Sequence, residues 1–206
     1  MGIAQRAKSL RSSRSTASIR SFPPAASIKC DGPALYRSQV SRDVACILDL
    51  NPSVTSWRCM PLSLELFGNA HVPDFAVLDS DGSEVLMDAP DRLLPCDAAL
   101  IEKSADGIGL RYRLVSPEEI YDGPRLQNAR DLLRYGSVQL ALGDRLKVLA
   151  VLNDEGSLTV SECLTIFIET RPPIAGLAQM ILRGFVDVDL DTDLLGPETA
   201  VRRIRG

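Results

Sequence analysis

Apolar residues along the chain fall into two alternating rhythms, helical and extended, separated by turn signals. Val40, Val44, Ile47 and Leu48 recur at helical spacing, and Asn51-Pro52 ends the run, which predicts a helix over 35–50. Ser53–Phe67 reads as a strand, marked by Val54, Trp57 and Cys59, interrupted at Pro61 and closed by Gly68-Asn69. Phe75–Leu78 and Glu84–Met87 read as a pair of strands. The Asp79–Gly82 turn joins them, because Asp-Gly supplies the positive backbone angles of a tight reversal. Asp97–Gly107 predicts a short helix, and Gly109–Ser116 a strand with Leu110, Tyr112 and Leu114 on one face. Ser116-Pro117-Glu118-Glu119 is a helix start, with a capping serine, proline in the first turn and acids at the positive end of the dipole. Leu126–Gly136 predicts a further helix. Strands with helices interleaved imply a mixed α/β domain, assigned to residues 29–138.

Beyond it the pattern changes. Asp144–Gly156 is helical. Thr159-Val160-Ser161-Glu162 fits a capping box and opens a second helix. Pro172-Pro173 precedes a third, Ile174–Gly184, and the alternation after Phe185 predicts a β-hairpin. Three short helices and a hairpin make a winged-helix layout for residues 139–206.

The N-terminal segment has neither rhythm. Residues 1–28 are dominated by Ser, Arg and Ala with few large apolar groups, the composition of a disordered arm. Charge sharpens that picture. The first 42 residues carry eight Lys and Arg against one acid, Asp31, so this stretch is +7 while the remainder is −11. A basic arm on an acidic body points to contact with nucleic acid, with Arg11, Arg14, Arg20, Arg37 and Arg42 as candidate phosphate partners. The five cysteines are scattered and form no C-x-x-C pair, which argues against a zinc site or a disulfide framework and fits a reducing cytoplasm. One histidine, His71, excludes multi-histidine metal sites. No apolar run approaches the roughly 18 residues of a membrane span, so no membrane contact is expected.

Candidate chemistry is concentrated in "HVPDFAVLDSDGSEVLMDAP", His71–Pro90. Pro-Asp-Phe leading into a strand, a turn and a second strand is the outline of a metal-dependent nuclease motif. Together with "DLNPSVTSWRCMPL", "RYRLVSPEEIYDGPRLQNARDLLRYG" and "LTVSECLT", in this order and spacing, it resembles the TnsA family, the endonuclease subunits of heteromeric bacterial transposases. The resemblance spans roughly residues 35–204. It implies a restriction-endonuclease-like α/β domain followed by a small winged-helix domain. It also implies DNA as a ligand, Mg²⁺ as the cofactor of an active site, and two protein partners, a transposase and an ATP-dependent regulator.

Phosphodiester hydrolysis at Mg²⁺ needs hard oxygen ligands and charge stabilisation on the phosphate, and the resemblance implies an acid on each of two neighbouring strands with a lysine on the second acid's strand face. Asp74 matches the strand aspartate and is the expected metal ligand. In the simplest register Met87 stands where the second acid belongs and Ala89 where the lysine belongs, and Ser41 replaces an expected helix acid. The expected function is therefore that of a catalytically degenerate TnsA-like nuclease fold that binds DNA ends or partner proteins. Two alternatives stay open. One is an active endonuclease with a rebuilt site, in which Asp88 turns inward through a β-bulge, Glu84 or Gln39 supplies oxygen, and Lys103 enters from the following helix. The other is a regulatory module unrelated to transposition. In the C-terminal part, Asp187, Asp189, Asp191 and Asp193 on the expected wing would repel a duplex, with Arg202, Arg203 and Arg205 following only later. Protein contact is the better expectation there.

Overall fold

The computed structural model describes residues 3–66 and 69–204, without the side chain of Ile3. Phe67 and Gly68 at the predicted turn, and Arg205 in the basic tip, lie outside the described residues. The chain divides into two compact units, residues 3–23 with 29–120, and residues 24–28 with 121–204.

The first unit opens with helix α1 (Ile3–Ala17), followed by α2 (Gln39–Leu50) and strand β1 (Val54–Cys59). Strands β2 (Leu64–Leu66) and β3 (Asn69–His71) form a two-stranded hairpin, and β4 (Phe75–Asp79) and β5 (Glu84–Asp88) a second pair. Helix α3 (Ala98–Asp106), strand β6 (Arg111–Leu114) and the short α4 (Glu118–Tyr121) complete the run. The main sheet has the order β1-β4-β5-β6, antiparallel except for the parallel β5–β6 pair. It is a mixed sheet with flanking helices, as the alternation of patterns implies. The strand expected over 53–67 is two strands, because the chain turns at Met60-Pro61 and re-enters as β2.

Alternation sorts the sheet into two faces. Trp57, Phe75 and Val77 lie on one, where Trp57 meets Phe75 edge-on at 5.6 Å and donates its ring N–H to Asp49 of α2 at 3.0 Å. Ala76, Leu86 and Tyr112 lie on the other, in one core with Leu64, Leu66, Ile101 and Ala105 of the β2–β3 hairpin and α3. Helix α2 begins with a capping box made by Ser38 and Ser41. Ser41 is thus occupied with closing its own helix end.

The arm expected to be disordered includes helix α1. Ala and Arg are good helix formers, but a helix this polar is held by tertiary anchors. Leu10 and Ala17, two turns apart, pack on Met60 and Val72. Arg6 pairs with Glu65, and Arg14 donates two hydrogen bonds to the Met60 carbonyl, at 2.9 and 3.2 Å. Met60 carries a φ of 44°, uncommon for a residue with a side chain. Its N–H donates to Asp74 O at 2.8 Å, so both its backbone groups are fixed.

The second unit comprises α5 (Arg125–Leu133), α6 (Leu142–Glu155), β7 (Ser157–Thr159), α7 (Val160–Ile166), α8 (Pro173–Leu182), β8 (Val186–Val188) and β9 (Ala200–Arg203). Helix α5, expected within the first domain, packs here on α8. The expected terminal hairpin is β8–β9, and β7 joins it in an antiparallel sheet of order β7-β9-β8. Val148, Leu152, Cys163, Phe167, Leu177, Met180 and Val201 fill the core. Gly176 is required there, since a Cβ would lie 2.4 Å from the Phe167 ring. Among the described residues no helix is long and apolar enough to cross a membrane.

Asp144, fully buried in the first turn of α6, ties down the loop between α7 and α8. Its carboxylate accepts the N–H groups of Ile168 (3.0 Å), Glu169 (3.0 Å) and Thr170 (2.6 Å). Burial alone would raise its pKa, but these three donors outweigh it and hold the carboxyl down at about 2. A lowered carboxyl pKa contributes stability that is complete above the unfolded value of about 3.9 and is lost as pH falls through the folded one. Asp144→Ala is expected to cost about 2–4 kcal/mol in urea unfolding, from loss of charge-assisted bonds to three amides. The difference from wild type should shrink as pH falls from about 4 towards 2.

Candidate functional site

The Pro73-Asp74-Phe75 stretch and the end of β5 meet beneath the β2–β3 hairpin. In the β4–β5 register Phe75 faces Met87, so alternation sends Met87 to one face and Asp88 to the other, with Leu86 and Tyr112. Asp88, not Met87, is therefore the second acid beside Asp74. No bulge is needed within the strand pair to turn it inward; ordinary two-residue periodicity does so. Both carboxylates are buried, Asp74 at 4% exposure and Asp88 at 0%.

Each carboxylate oxygen has a protein neighbour. Asp74 Oδ1 pairs with Arg37, and its Oδ2 accepts the Ala89 N–H at 3.1 Å. Asp88 Oδ1 accepts the Asp74 N–H at 2.9 Å and lies 3.8 Å from Arg92 Nε. Asp88 Oδ2 is 2.6 Å from His71 Nε2 and 2.8 Å from the Tyr112 hydroxyl. An ionised carboxylate only accepts, so His71 Nε2 and Tyr112 Oη carry the hydrogens. The His71 and Tyr112 rings also meet edge-on, with centroids 6.2 Å apart. His71 Nδ1 is buried with no hydrogen-bond partner.

The two acids differ electrostatically. Burial pushes the Asp74 carboxyl above the ordinary carboxylate range; Arg37 pulls it down and the Asp88 charge pushes it up. At Asp88 burial also pushes upward, but the His71 and Tyr112 hydrogen bonds and the Asp74 N–H outweigh it and hold the carboxyl below its ordinary value. Burial raises the Tyr112 hydroxyl, and the Asp88 charge adds to that effect.

This donor set does not suit Mg²⁺. The ion prefers octahedral oxygen coordination and usually keeps several waters of its own. Here every carboxylate oxygen already faces a guanidinium, an imidazole, a phenol or a backbone amide, in a buried site. Among the described residues no three His, Cys, Asp or Glu side chains are placed to share an ion. The helper residues considered for a rebuilt site are elsewhere. Glu84 shares the strand face of Asp88 but sits four residues away, about 13 Å along the strand, and pairs with Arg58. Gln39 donates to Asp43 and to the Pro23 carbonyl. Lys103 is exposed on α3, on the side opposite buried Ile101 and Ala105, so it turns away from the core.

The predicted phosphate contacts separate in the same way. Arg42 is fully buried, 5.1 Å above the Tyr36 ring, and is not available to a phosphate. Arg14 is engaged by the Met60 carbonyl, and Arg37 by Asp74 and by Val72 O at 2.8 Å. Arg11 and Arg20 are exposed. Arg20, Arg37 and Arg92 border a cavity of about 940 Å³ between α1 and the strand ends. Sequence reasoning missed His71, Tyr112 and Arg92 as parts of the site. The signals were a lone histidine three residues ahead of the motif aspartate, and a tyrosine on the inward face of the next strand.

In the second unit the acidic run is folded rather than displayed as a free wing. Asp189 accepts the N–H groups of Asp191 and Thr192, and Asp191 pairs with Arg125 at 2.7 Å. Asn128 bonds the carbonyls of Leu190 and Asp193 and the Leu195 N–H, each at 2.9 Å.

The chain matches no protein-family model and no curated protein.

Asp88→Ala is expected to lower stability by about 3–5 kcal/mol, because it strands a buried imidazole, a phenol and an amide together. Tyr112→Phe removes one donor and should cost about 1 kcal/mol. Guanidinium unfolding of both variants checks the ranking; equal losses would show that the three donors do not converge on Asp88.

Proposed function

We propose that the chain is a TnsA-like subunit of a DNA transposition complex, a nuclease fold that binds DNA ends and partner proteins and no longer cuts. One observation carries this reading. Asp74 and Asp88 meet where a nuclease motif places its acids, yet protein donors take the oxygens that a metal ion would need. Charged groups in such a site hold each other in place. Removing one leaves its partners buried and unpaired, which explains why the acids persist when the chemistry does not.

Catalysis would need an ion to lower the pKa of water and to neutralise charge developing on the phosphate. Nothing in the cluster replaces either service. Arg37 and Arg92 could stabilise negative charge, but each already lies against a carboxylate. What remains is DNA-end binding by the basic face of the first unit and docking of a transposase and an ATP-dependent regulator. Helices α6, α7 and α8 with the small sheet of the second unit support a winged-helix reading, to which α5 is an addition, and its exposed Asp187 and Asp193 favour a protein partner over a duplex. Five free cysteines accord with a cytoplasmic location.

With the partner transposase present, supercoiled DNA is expected to stay uncut by this chain in Mg²⁺ or Mn²⁺, and Asp74→Ala should behave as wild type. Strand scission that disappears in Asp74→Ala would falsify the non-catalytic reading. The assembly half is checked by co-expression: a transposase and an ATPase encoded beside this chain are expected to co-elute with it, and elution of the chain alone counts against it.

A further inference from the structure

We propose that the cavity between α1 and the strand ends of the first unit binds a phosphate-bearing ligand of nucleotide size. Its volume, about 940 Å³, is at the upper end of the range for small-molecule sites. Lys8, Arg20, Arg37 and Arg92 line it, and no carboxylate does. Behind its wall, Asp74 pairs with Arg37, and Asp88 lies 3.8 Å from Arg92 Nε. Lys8 and Arg20 are exposed, and among the described residues neither side chain has a carboxylate partner. The uncommitted charge on this space is therefore that of Lys8 and Arg20, beside two arginines whose charge is already met by buried carboxylates but which keep further N–H donors.

The sequence of α1 builds the opposite wall. Ser9, Ser12, Ser13 and Thr16 fall at helical spacing, and all four line the cavity. Leu10 and Ala17 anchor the helix to the body, while Arg6 and Arg14 tie it to Glu65 and Met60. One face of α1 is therefore spent on docking and another offers hydroxyls. Hydroxyls together with Lys and Arg, without acids, suit phosphate oxygens, which accept from both. Tyr36 borders the cavity floor but is buried, with Arg42 over its ring, so recognition rests on the phosphate and not on base stacking.

This chemistry fits two sources, a free nucleotide or the phosphorylated end of a DNA strand. The strand-end form rests on the DNA-binding part of the proposed function; the nucleotide form does not. The test uses the full chain, with fluorescence anisotropy of a labelled 5′-phosphorylated single-stranded dodecamer and calorimetry with dATP. Lys8→Glu combined with Arg20→Glu alters only exposed side chains. Ser12→Phe fills the cavity from the helix side without changing charge, and Lys147→Ala on α6 is the control. Circular dichroism checks that each variant is folded.

At least one probe is expected to bind, and both cavity variants should weaken it by about tenfold or more, with Lys147→Ala unchanged. For the strand, loss of two phosphate contacts should reduce the slope of log affinity against log salt by about 1.4. Binding of dATP but not of the strand supports the cavity and counts against the DNA reading. Strand binding that Ser12→Phe leaves intact overturns the cavity and leaves the DNA reading standing. Failure of wild type to bind either probe below about 1 mM overturns the cavity outright.

Discussion

Two carboxylates buried side by side make the strongest demand on the first unit. Asp74 and Asp88 are almost wholly removed from solvent, so their charges must be met chiefly from within. The fold meets that demand with six groups: Arg37 before α2, His71 at the end of β3, the amides of Asp74 and Ala89, Tyr112 on β6, and Arg92 after β5. These groups come from segments distant in sequence. The cluster therefore fixes how the hairpin, the sheet and the segment before α2 meet, and it is a structural joint before it is anything else.

The same joint shapes the surface above it. Arg37 and Arg92 face the carboxylates on one side and the cavity on the other. A guanidinium offers five donors in a fixed fork, so an inward ion pair leaves outward hydrogens for a ligand. Helix α1 closes the space with hydroxyls on one face while its apolar residues dock on Met60 and Val72. The two acids thus lie beside arginines as counter-ions, and the arginines in turn border the cavity.

The second unit shows the same use of acids. Asp144 fixes a loop by accepting three amides, and Asp189 and Asp191 fold the segment between β8 and β9. Asp189 and Asp191 use part of their acceptor capacity on backbone donors and on Arg125, while all four acids stay exposed.

Periodicity and turn chemistry, both local, were legible in the chain itself. The β4–β5 pair and its Asp-Gly turn, α2, α3, β6, the Thr159–Glu162 capping box and the mixed α/β class all follow from spacing and caps that act over a few residues. Asp74 stood out through the resemblance of Pro73-Asp74-Phe75 to a nuclease motif. Three decisions belonged to the tertiary structure. Whether Met87 or Asp88 faced Asp74 hung on register, since a one-residue slip exchanges the two faces of a strand. Whether residues 3–17 were helix or coil depended on docking contacts with Met60, Val72 and Glu65, which lie more than forty residues away. And whether an arginine met phosphate or protein depended on burial, which placed Arg42 inside and left Arg20 outside. Local pattern sets what each segment can be; only contacts between segments decide which side of each faces inward, because burial is a property of the assembled chain.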